Sequence, residues 1–224
     1  MTEIKRHKFW WLWLPITVGI AQIILELTLP SGVLAELHSE TGPHEFFEFI
    51  LMFAGLIVAL LTLKKLDIPD NKLLAGWLGL AALSCFYVAG EEVSWGQHFM
   101  NWSTPEYWLH INDQGETNLH NTSSWLDQKP RLILELGVLV GGLIIPLLLR
   151  FKPKTLPQQF AIFYPTVQFI PLAIMIFTVK MSEKVAEVMD VTLFERASEI
   201  EELYIFYFVL LYLIVLRRRV LQQQ

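Results

Sequence analysis

Six apolar segments constrain the fold of this chain more than any other feature of its sequence. They lie at 9–29, 46–63, 73–90, 132–149, 160–179 and 203–216. Most of them approach the roughly 20 residues that an α-helix needs to cross a bilayer. With 54% hydrophobic and 17% charged residues among 224, the chain is too apolar for a soluble domain of this length. We therefore expect an all-α polytopic membrane protein, a single domain over 1–224 with six transmembrane helices.

The basic residues orient these helices. Most of the 17 lysines and arginines lie near the N-terminus, for example Lys5 and Arg6, between the second and third helices, between the fourth and fifth, and after the sixth. Short loops rich in Lys and Arg stay in the cytoplasm. Both termini are thus predicted to be cytoplasmic, and the segments 30–45, 91–131 and 180–202 are predicted to lie outside.

The last of these outer segments, 180–202, has a helical repeat of its own. Met181, Val185 and Val188 recur at helical spacing, with charged residues between them. This pattern predicts an amphipathic helix that either lies along the membrane surface or extends the fifth transmembrane helix.

The acidic residues lie almost entirely on the outer side of this predicted membrane. Of the 22, the exceptions are Glu3, Asp67 and Asp70. The others include clusters at the outer ends of helices: Glu26, Glu45, Glu48, Glu91, Glu92, Glu135, Glu199, Glu201 and Glu202. The segment 203–216 would measure about 21 Å as a helix, against about 30 Å of hydrocarbon, so it draws neighbouring carboxylates towards the membrane. Ionisable groups at that depth are costly and indicate function.

The densest group of reactive side chains follows the third apolar segment. The run GEEVSWGQH occupies 90–98, and GETNLHN follows in the same loop at 115–121. If the helix continues past Gly90, carboxylate and imidazole groups of the first run share one face. Such groups bind metal ions or exchange protons in acid–base catalysis. The candidate catalytic residues are Glu91, Glu92, His98, Glu116 and His120.

A divalent metal ion is one cofactor that these residues could hold. The candidate ligands, taken from the outer ends of three helices and from the loop, are Glu48, Glu91, His98, His120 and Glu199. On the sixth helix, Glu195, Glu199 and Glu202 share a face, where a cation, a basic partner or proton uptake would relieve their repulsion. The chain has no His-Glu-x-x-His motif and no cysteine pair, since Cys85 is its one cysteine.

Three short runs carry a resemblance to known proteins: GEEVSWGQ at 90–97, TPE at 104–106 and ETNLHN at 116–121. Together they resemble a family of bacterial polytopic membrane proteins of unassigned function. Elsewhere the resemblance extends only to hydropathy. It implies that these segments form one site at the outer face of a multi-pass protein of the bacterial inner membrane.

A weaker resemblance involves EFFE at 45–48, which is similar to the acidic start of the alkaline-ceramidase superfamily. Those proteins are membrane enzymes with several helices and a histidine-ligated metal, so this resemblance implies metal-dependent chemistry. The chain departs from that superfamily because it has no histidine after His120, where the superfamily has two histidines four residues apart.

Three functions are compatible with these residues. The first is a metal-dependent membrane hydrolase or lipid-modifying enzyme that acts on a lipid or lipid-linked substrate. The second is a non-catalytic membrane scaffold or partner protein. The third is a proton- or cation-coupled transporter, although no matching acidic residues lie in the cytoplasmic halves of the helices. Membrane lipids are expected partners and nucleic acids are not, whereas the reaction, the substrate and the oligomeric state are left open.

Overall fold

The computed structural model describes residues 8–39, 41–112, 114–191, 194 and 196–223. Within these residues all regular structure is helical and no strand is present, which confirms the all-α prediction. Glu3, Lys5, Arg6 and Glu195, which entered the topology and acidic-face predictions, lie outside the described residues.

The long α-helices lie in the apolar segments of the sequence, and short α-helices lie in the segments that connect them. In chain order they are α1 Leu14–Thr28, α2 Ser31–Leu37, α3 Pro43–Leu63, α4 Lys72–Glu91, α5 Gln97–Met100, α6 Glu106–Ile111, α7 Ser124–Val138, α8 Ile145–Phe151, α9 Ile170–Met189 and α10 Ala197–Gln222.

Among the described residues, five helical stretches are long and apolar enough to cross a membrane. They are Phe9–Thr28, Pro43–Leu63, Lys72–Glu91, Gln128–Phe151 and Gln158–Met189. These stretches coincide with the first five apolar segments of the sequence. Large apolar side chains such as Leu80 and Leu83 of α4 are exposed on their surfaces, as expected for helices that face lipid. These features fit a multi-pass membrane protein.

The sixth apolar segment, 203–216, forms the central part of α10. This helix is long enough to span, but every stretch of membrane length within it takes in more than two charged residues. They come from 199–202 at one end or from 217–219 at the other. A sixth membrane span therefore stays a prediction.

Prolines set the local irregularities of the long helices. The π-helical segments Phe9–Trp13 and Leu139–Ile144 each lie directly before an α-helix that has proline in its first turn, Pro15 in α1 and Pro146 in α8. Proline has no N–H and its ring crowds the preceding turn. A widened turn accommodates both effects without ending the helix.

The fifth membrane stretch becomes α-helical later than its hydropathy indicates. Gln158–Phe163 and Val167–Phe169 are 3-10 turns, with Pro165 between them, and the α-helix begins only at Ile170. Proline restricts the residue before it and lacks a donor, so a continuous helix is interrupted there. At its other end α9 continues to Met189, which matches the predicted extension of the fifth helix into 180–202.

The chain divides into two compact units. The first comprises the described parts of Met1–Ser39 and Glu135–Phe208. Its core contains Leu172, Ala173 and Ile176 of α9, which are completely buried. Tyr204 ties α10 to α1, because its hydroxyl donates a hydrogen bond of 2.9 Å to the carbonyl of Pro15.

The second unit comprises the described parts of Glu40–Leu134 and Val209–Gln224. Its centre is the pair α3 and α4, connected by a short turn. The buried stripe of α3 repeats every three or four residues, as in Met52, Gly55 and Ala59, and begins with Glu45 and Glu48. Both carboxylates of the EFFE run therefore lie on the packed face of the helix, whereas the two phenylalanines between them are exposed.

Gly142 provides a test of packing in the first unit. A Cβ atom at this position would lie 2.6 Å from the Cβ of Ala173 and 3.0 Å from the ring of Phe208. Overpacking of this kind costs about 1–3 kcal/mol. We expect Gly142→Ala to lower the midpoint of thermal unfolding in detergent.

Gly137 is the matched control, since a Cβ atom there meets nothing within 4 Å. Gly137→Ala should be neutral, or stabilising by up to about 1 kcal/mol, because alanine favours helix. Equal midpoint shifts for the two variants would contradict the close helix packing at Gly142.

Candidate functional site

A tight reversal of the chain follows α4. The helix ends at Glu91 and does not continue past it, because Ser94, Trp95 and Gly96 have positive φ angles of 45°, 54° and 102°. Such angles cost on the order of 1 kcal/mol or more for a residue with a side chain. Interactions with the rest of the loop must compensate for this cost. A helix continuing past Gly90 was expected to place Glu91 and His98 on one face. This turn interrupts the helix between the two residues.

Trp95 folds back onto the last turn of α4. Its indole Nε1 donates a hydrogen bond of 2.6 Å to Oε1 of Glu91, and its ring makes edge contacts with Phe86 and Tyr87. The ring also covers Gly90, where a Cβ atom would lie 2.8 Å from it. Glycine at this position thus leaves the space that the indole occupies.

Glu91 joins the end of α4 to the far part of the loop. Its Oε2 accepts backbone hydrogen bonds from Leu119 at 2.7 Å and from His120 at 2.8 Å, across 28 residues or more. Nδ1 of His120 lies 3.4 Å from the same oxygen. The side chain is 3% exposed, and together with the Trp95 bond these contacts use its lone pairs. Glu91 therefore acts as a structural anchor of the loop.

Glu116 makes a second group of contacts, which differs from the contacts of Glu91 because solvent reaches it. Its Oε2 accepts hydrogen bonds from the Ser94 hydroxyl at 2.5 Å and from the Asn118 amide at 2.9 Å. Its Oε1 lies 2.8 Å from Nε2 of His98. The side chains of Glu116 and His98 are each 13% exposed, so this pair is reached by solvent, whereas Ser94 is fully buried.

The pKa of Glu116 follows from competing effects. Burial raises the pKa of its carboxyl, but the hydrogen bonds from His98 and Ser94 and the nearby imidazoles outweigh burial and hold it below its ordinary value of about 4.5. The carboxyl is consequently ionised at neutral pH and can only accept hydrogen bonds. Nε2 of His98 must then be the donor.

This arrangement leaves one nitrogen of His98 available. Among the described residues, Nδ1 of His98 has no hydrogen-bond partner, and it is not a buried atom. A neutral imidazole that donates from Nε2 carries its lone pair on Nδ1. In the neutral form of His98, the pair is therefore an imidazole that a carboxylate orients through Nε2 and that presents the lone pair of Nδ1 to solvent.

Amide and hydroxyl side chains hold the rest of the loop in place. Asn112 donates to Asn118 at 2.7 Å and accepts from the backbone N–H of Gln114 and of Glu116 at 3.0 Å. Further bonds connect Gln97 with Thr104 and Thr117, Thr104 with the carbonyl of Gly115, and Thr117 with the carbonyl of Ser94. The loop is thus bonded to itself at many points before it reaches α7.

The other predicted site residues belong to helices or to a helix end. Glu92 is buried at the C-cap of α4, Glu48 is completely buried on α3, and Glu199 lies in the first turn of α10. Among the described residues, no three ligand atoms from Glu91, His98, Glu116 and His120 come close enough together to share one ion. The structure thus brings the loop residues together as two carboxylate–imidazole pairs.

Two further polar clusters lie in the first unit. Lys180 of α9 forms an ion pair with the buried Glu135, and its Nζ lies 3.7 Å from Oε1 of Glu201. Near the end of α1, the amide of Gln22 lies 3.1 Å from both Glu26 and the fully buried His38. Three carboxylates of the predicted acidic clusters, Glu26, Glu135 and Glu201, thus have cationic or amide partners.

Sequence reasoning missed the roles of the amides that organise the loop, although Gln97 and Asn118 lie in the two runs that it singled out. Asn112 went unnoticed, although Asn112 followed by Gly115 after an apolar run is a turn signal. The roles of Gln97, Thr104 and Thr117 carry no such signal, because each depends on a partner brought close by folding.

Comparison of the chain with models of protein families, with curated proteins and with solved structures finds no match. The resemblances drawn from the sequence therefore stay predictions, and the geometry of the loop carries the functional argument.

The anchoring role of Glu91 predicts a large loss of stability when its charge is removed. In Glu91→Gln an amide with one oxygen replaces the carboxylate with two. If that oxygen still accepts the hydrogen bonds from Leu119 and His120, the NH₂ group faces the indole N–H of Trp95 and cannot accept its hydrogen bond. We expect the free energy of unfolding to fall by about 2–4 kcal/mol, measured by chemical unfolding in detergent. Limited proteolysis should show earlier cleavage in 92–123.

Glu106→Gln is the matched control, because Glu106 is exposed in the same loop and no side-chain bond depends on it. It should leave both measurements unchanged. A Glu91→Gln protein as stable and as protease-resistant as the Glu106→Gln protein would refute the anchoring role.

The lowered pKa of Glu116 predicts acid sensitivity. A carboxyl whose pKa is lower in the folded than in the unfolded state stabilises the protein above the unfolded pKa, and this contribution is lost as pH falls through the folded pKa. We therefore expect the unfolding midpoint to decline as pH falls below about 4.5, with a smaller decline in Glu116→Gln. Glu106→Gln is the reference and should decline with pH as the wild type does. If the midpoint of Glu116→Gln declines with pH as steeply as those two, Glu116 is not a source of the acid sensitivity.

Proposed function

We propose that this protein is a membrane enzyme in which His98 and Glu116 form an acid–base pair that acts on a membrane lipid or a lipid-linked substrate. In this proposal the chain crosses a bacterial inner membrane six times, both termini are cytoplasmic, and the loop 91–131 lies at the outer face. The observation that carries it is the open Nδ1 of His98, whose other nitrogen is held by an ionised carboxylate.

The chemistry that such a pair offers is proton transfer. Nδ1 can take a proton from a water molecule or a substrate hydroxyl, and the Glu116 carboxylate stabilises the imidazolium that results. Ser94 and Asn118 hold Glu116 in position from its other oxygen. The class of reaction that fits is hydrolysis or transfer at an ester or phosphoester, with His98 as general base and then as general acid.

Ser94 is less suited to act as a nucleophile. Its side chain is completely buried, its hydroxyl donates to Glu116, and its oxygen accepts from the Asn118 amide at 3.0 Å. A nucleophile must reach the substrate and must pass its proton to a base that can hold it. The ionised Glu116, whose pKa is lowered, is a weak base, so activated water is the better supported nucleophile.

A specific observation also favours a second function, the non-catalytic scaffold. The lone pairs of Glu91 are used by contacts within the loop, so this carboxylate supports the fold rather than chemistry. If Glu116 served only the same purpose, the loop would be a rigid surface for a partner protein. The two functions differ in what they require of His98, because only the enzyme needs its second nitrogen.

The decisive variant is therefore His98→Asn. Purified protein is reconstituted in liposomes made from a total polar lipid extract, and the lipids are followed by mass spectrometry. We expect wild-type protein to convert at least one lipid species, and His98→Asn to slow that conversion by about 100-fold or more. Glu116→Gln should also slow it, because the amide no longer fixes which nitrogen of His98 carries the proton.

His110→Asn is the control, since His110 is an exposed histidine of the same loop, on α6, and no side-chain bond depends on it. It should convert lipid at the wild-type rate. If wild-type and His98→Asn proteins are both folded and leave identical lipid profiles, the enzyme proposal fails and the scaffold function is favoured. Elemental analysis of the same preparations shows whether conversion accompanies a bound metal.

A further inference from the structure

The turn after α4 exposes large apolar side chains that the acid–base pair does not use. They are Trp95, Phe99, Met100 and Trp102, and we call them the aromatic edge of the loop. Phe99 is 54% exposed and Met100 76% exposed, although both follow directly after His98 on α5. Trp102 continues this edge, because its ring lies against Gly96 of the same turn. A Cβ atom added at Gly96 would lie 3.5 Å from that ring.

The aromatic edge lies beside membrane stretches rather than away from them. The ring of Phe99 contacts the ring of Phe49 at a centroid distance of 5.5 Å. Phe49 lies six residues into α3, which is about 9 Å along the helix axis. The ring of Trp95 contacts Phe86, five residues before the end of α4, at 5.7 Å. The turn thus folds back along the walls of both helices.

On α3, Phe99 extends an existing column of aromatic side chains. Phe46, Phe49 and Phe53 follow one another at ring distances of 6.3 Å and 5.6 Å. Phe46 and Phe53 are about half exposed, as lipid-facing side chains of a membrane stretch would be. Because Phe99 contacts this column and is itself half exposed, the lipid or water that surrounds the column also surrounds Phe99.

The charge of the turn indicates which medium this is. Residues 93–105 contain no lysine, arginine, aspartate or glutamate. His98 is their one titratable side chain, and it bonds Glu116. Exposed tryptophan and phenylalanine without accompanying charges are typical of the boundary between acyl chains and headgroups. A surface for anionic headgroups would instead carry basic residues.

We infer that the aromatic edge of the loop inserts into the lipid interface of the membrane leaflet that contains the C-terminal end of α4. The insertion is apolar and independent of headgroup charge. It does not require His98 to be catalytic, because it depends on aromatic contacts rather than on the acid–base pair. If both hold, His98 works at headgroup depth, where it meets lipids and not freely soluble substrates.

The test measures the depth of Met100 by spin labelling. Cys85 is the chain's one cysteine, so a Cys85→Ala background accepts single labels. A nitroxide at Met100→Cys is compared with one at Asp70→Cys, an exposed position in the turn between α3 and α4. Both proteins are placed in phosphatidylcholine nanodiscs, with and without phosphatidylglycerol, and power saturation is measured with oxygen and with a water-soluble nickel chelate.

We expect the label at Met100 to collide with oxygen several-fold more than with the nickel chelate, relative to the label at Asp70, in both lipid compositions. A water-like ratio at Met100 would overturn the inference. So would a label shielded from both reagents, because that result means that protein covers the edge. Resistance of 92–123 to protease confirms in each preparation that the loop is folded. A water-like ratio together with His98-dependent lipid conversion would refute insertion alone and leave the enzyme proposal standing.

Discussion

The loop after α4 depends on one buried carboxylate. Glu91 is the last residue of a membrane-length helix, and from there it binds an indole four residues ahead and two backbone N–H groups about 28 residues ahead. A charge buried in this way is tolerated because it is fully hydrogen-bonded. The same bonds bring the runs 90–98 and 115–121 together. They act with the bonds that Ser94 makes to Glu116 and Thr117 to compensate for the backbone cost of the left-handed turn at 94–96.

The loop shows how two chemically identical side chains come to different roles. Glu91 and Glu116 both lie beside a histidine, but the contacts of Glu91 are saturated and buried, whereas Glu116 orients an imidazole that solvent reaches. Burial with complete bonding turns a carboxylate into part of the framework. Partial exposure leaves its neighbour free to exchange protons. Thus environment, rather than residue type, separates an anchor from a candidate catalytic group.

Much of the fold can be predicted from the sequence because a bilayer imposes a length on apolar segments. The stretches that include α3 and α4 agree with their hydropathy nearly to the residue. Hydropathy is less informative at 158–169, where Pro165 interrupts a helix although the stretch stays apolar, and in α10, where a short apolar run is flanked by charges.

The candidate site could be predicted only in outline. The clustering of glutamate and histidine at 90–98 and 115–121 shows which segments meet, because such groups are costly unless they find partners. The pairing itself, Glu91 with His120 and Glu116 with His98, depends on the reversal at 94–96. Positive φ angles at a serine and a tryptophan have no sequence signature. The periodicity of a continuing helix therefore predicted a different arrangement.

Gly90 has a consequence for protein engineering. Exchanging a helical glycine for alanine is a standard way to stabilise a protein, since it restricts the unfolded chain and favours helix. At Gly90 the reason for glycine is space rather than backbone freedom, because the indole of Trp95 occupies the place of the missing side chain. An added methyl group would displace the ring and with it a bond to Glu91. The exchange that strengthens most helices would here uncouple the helix from its loop.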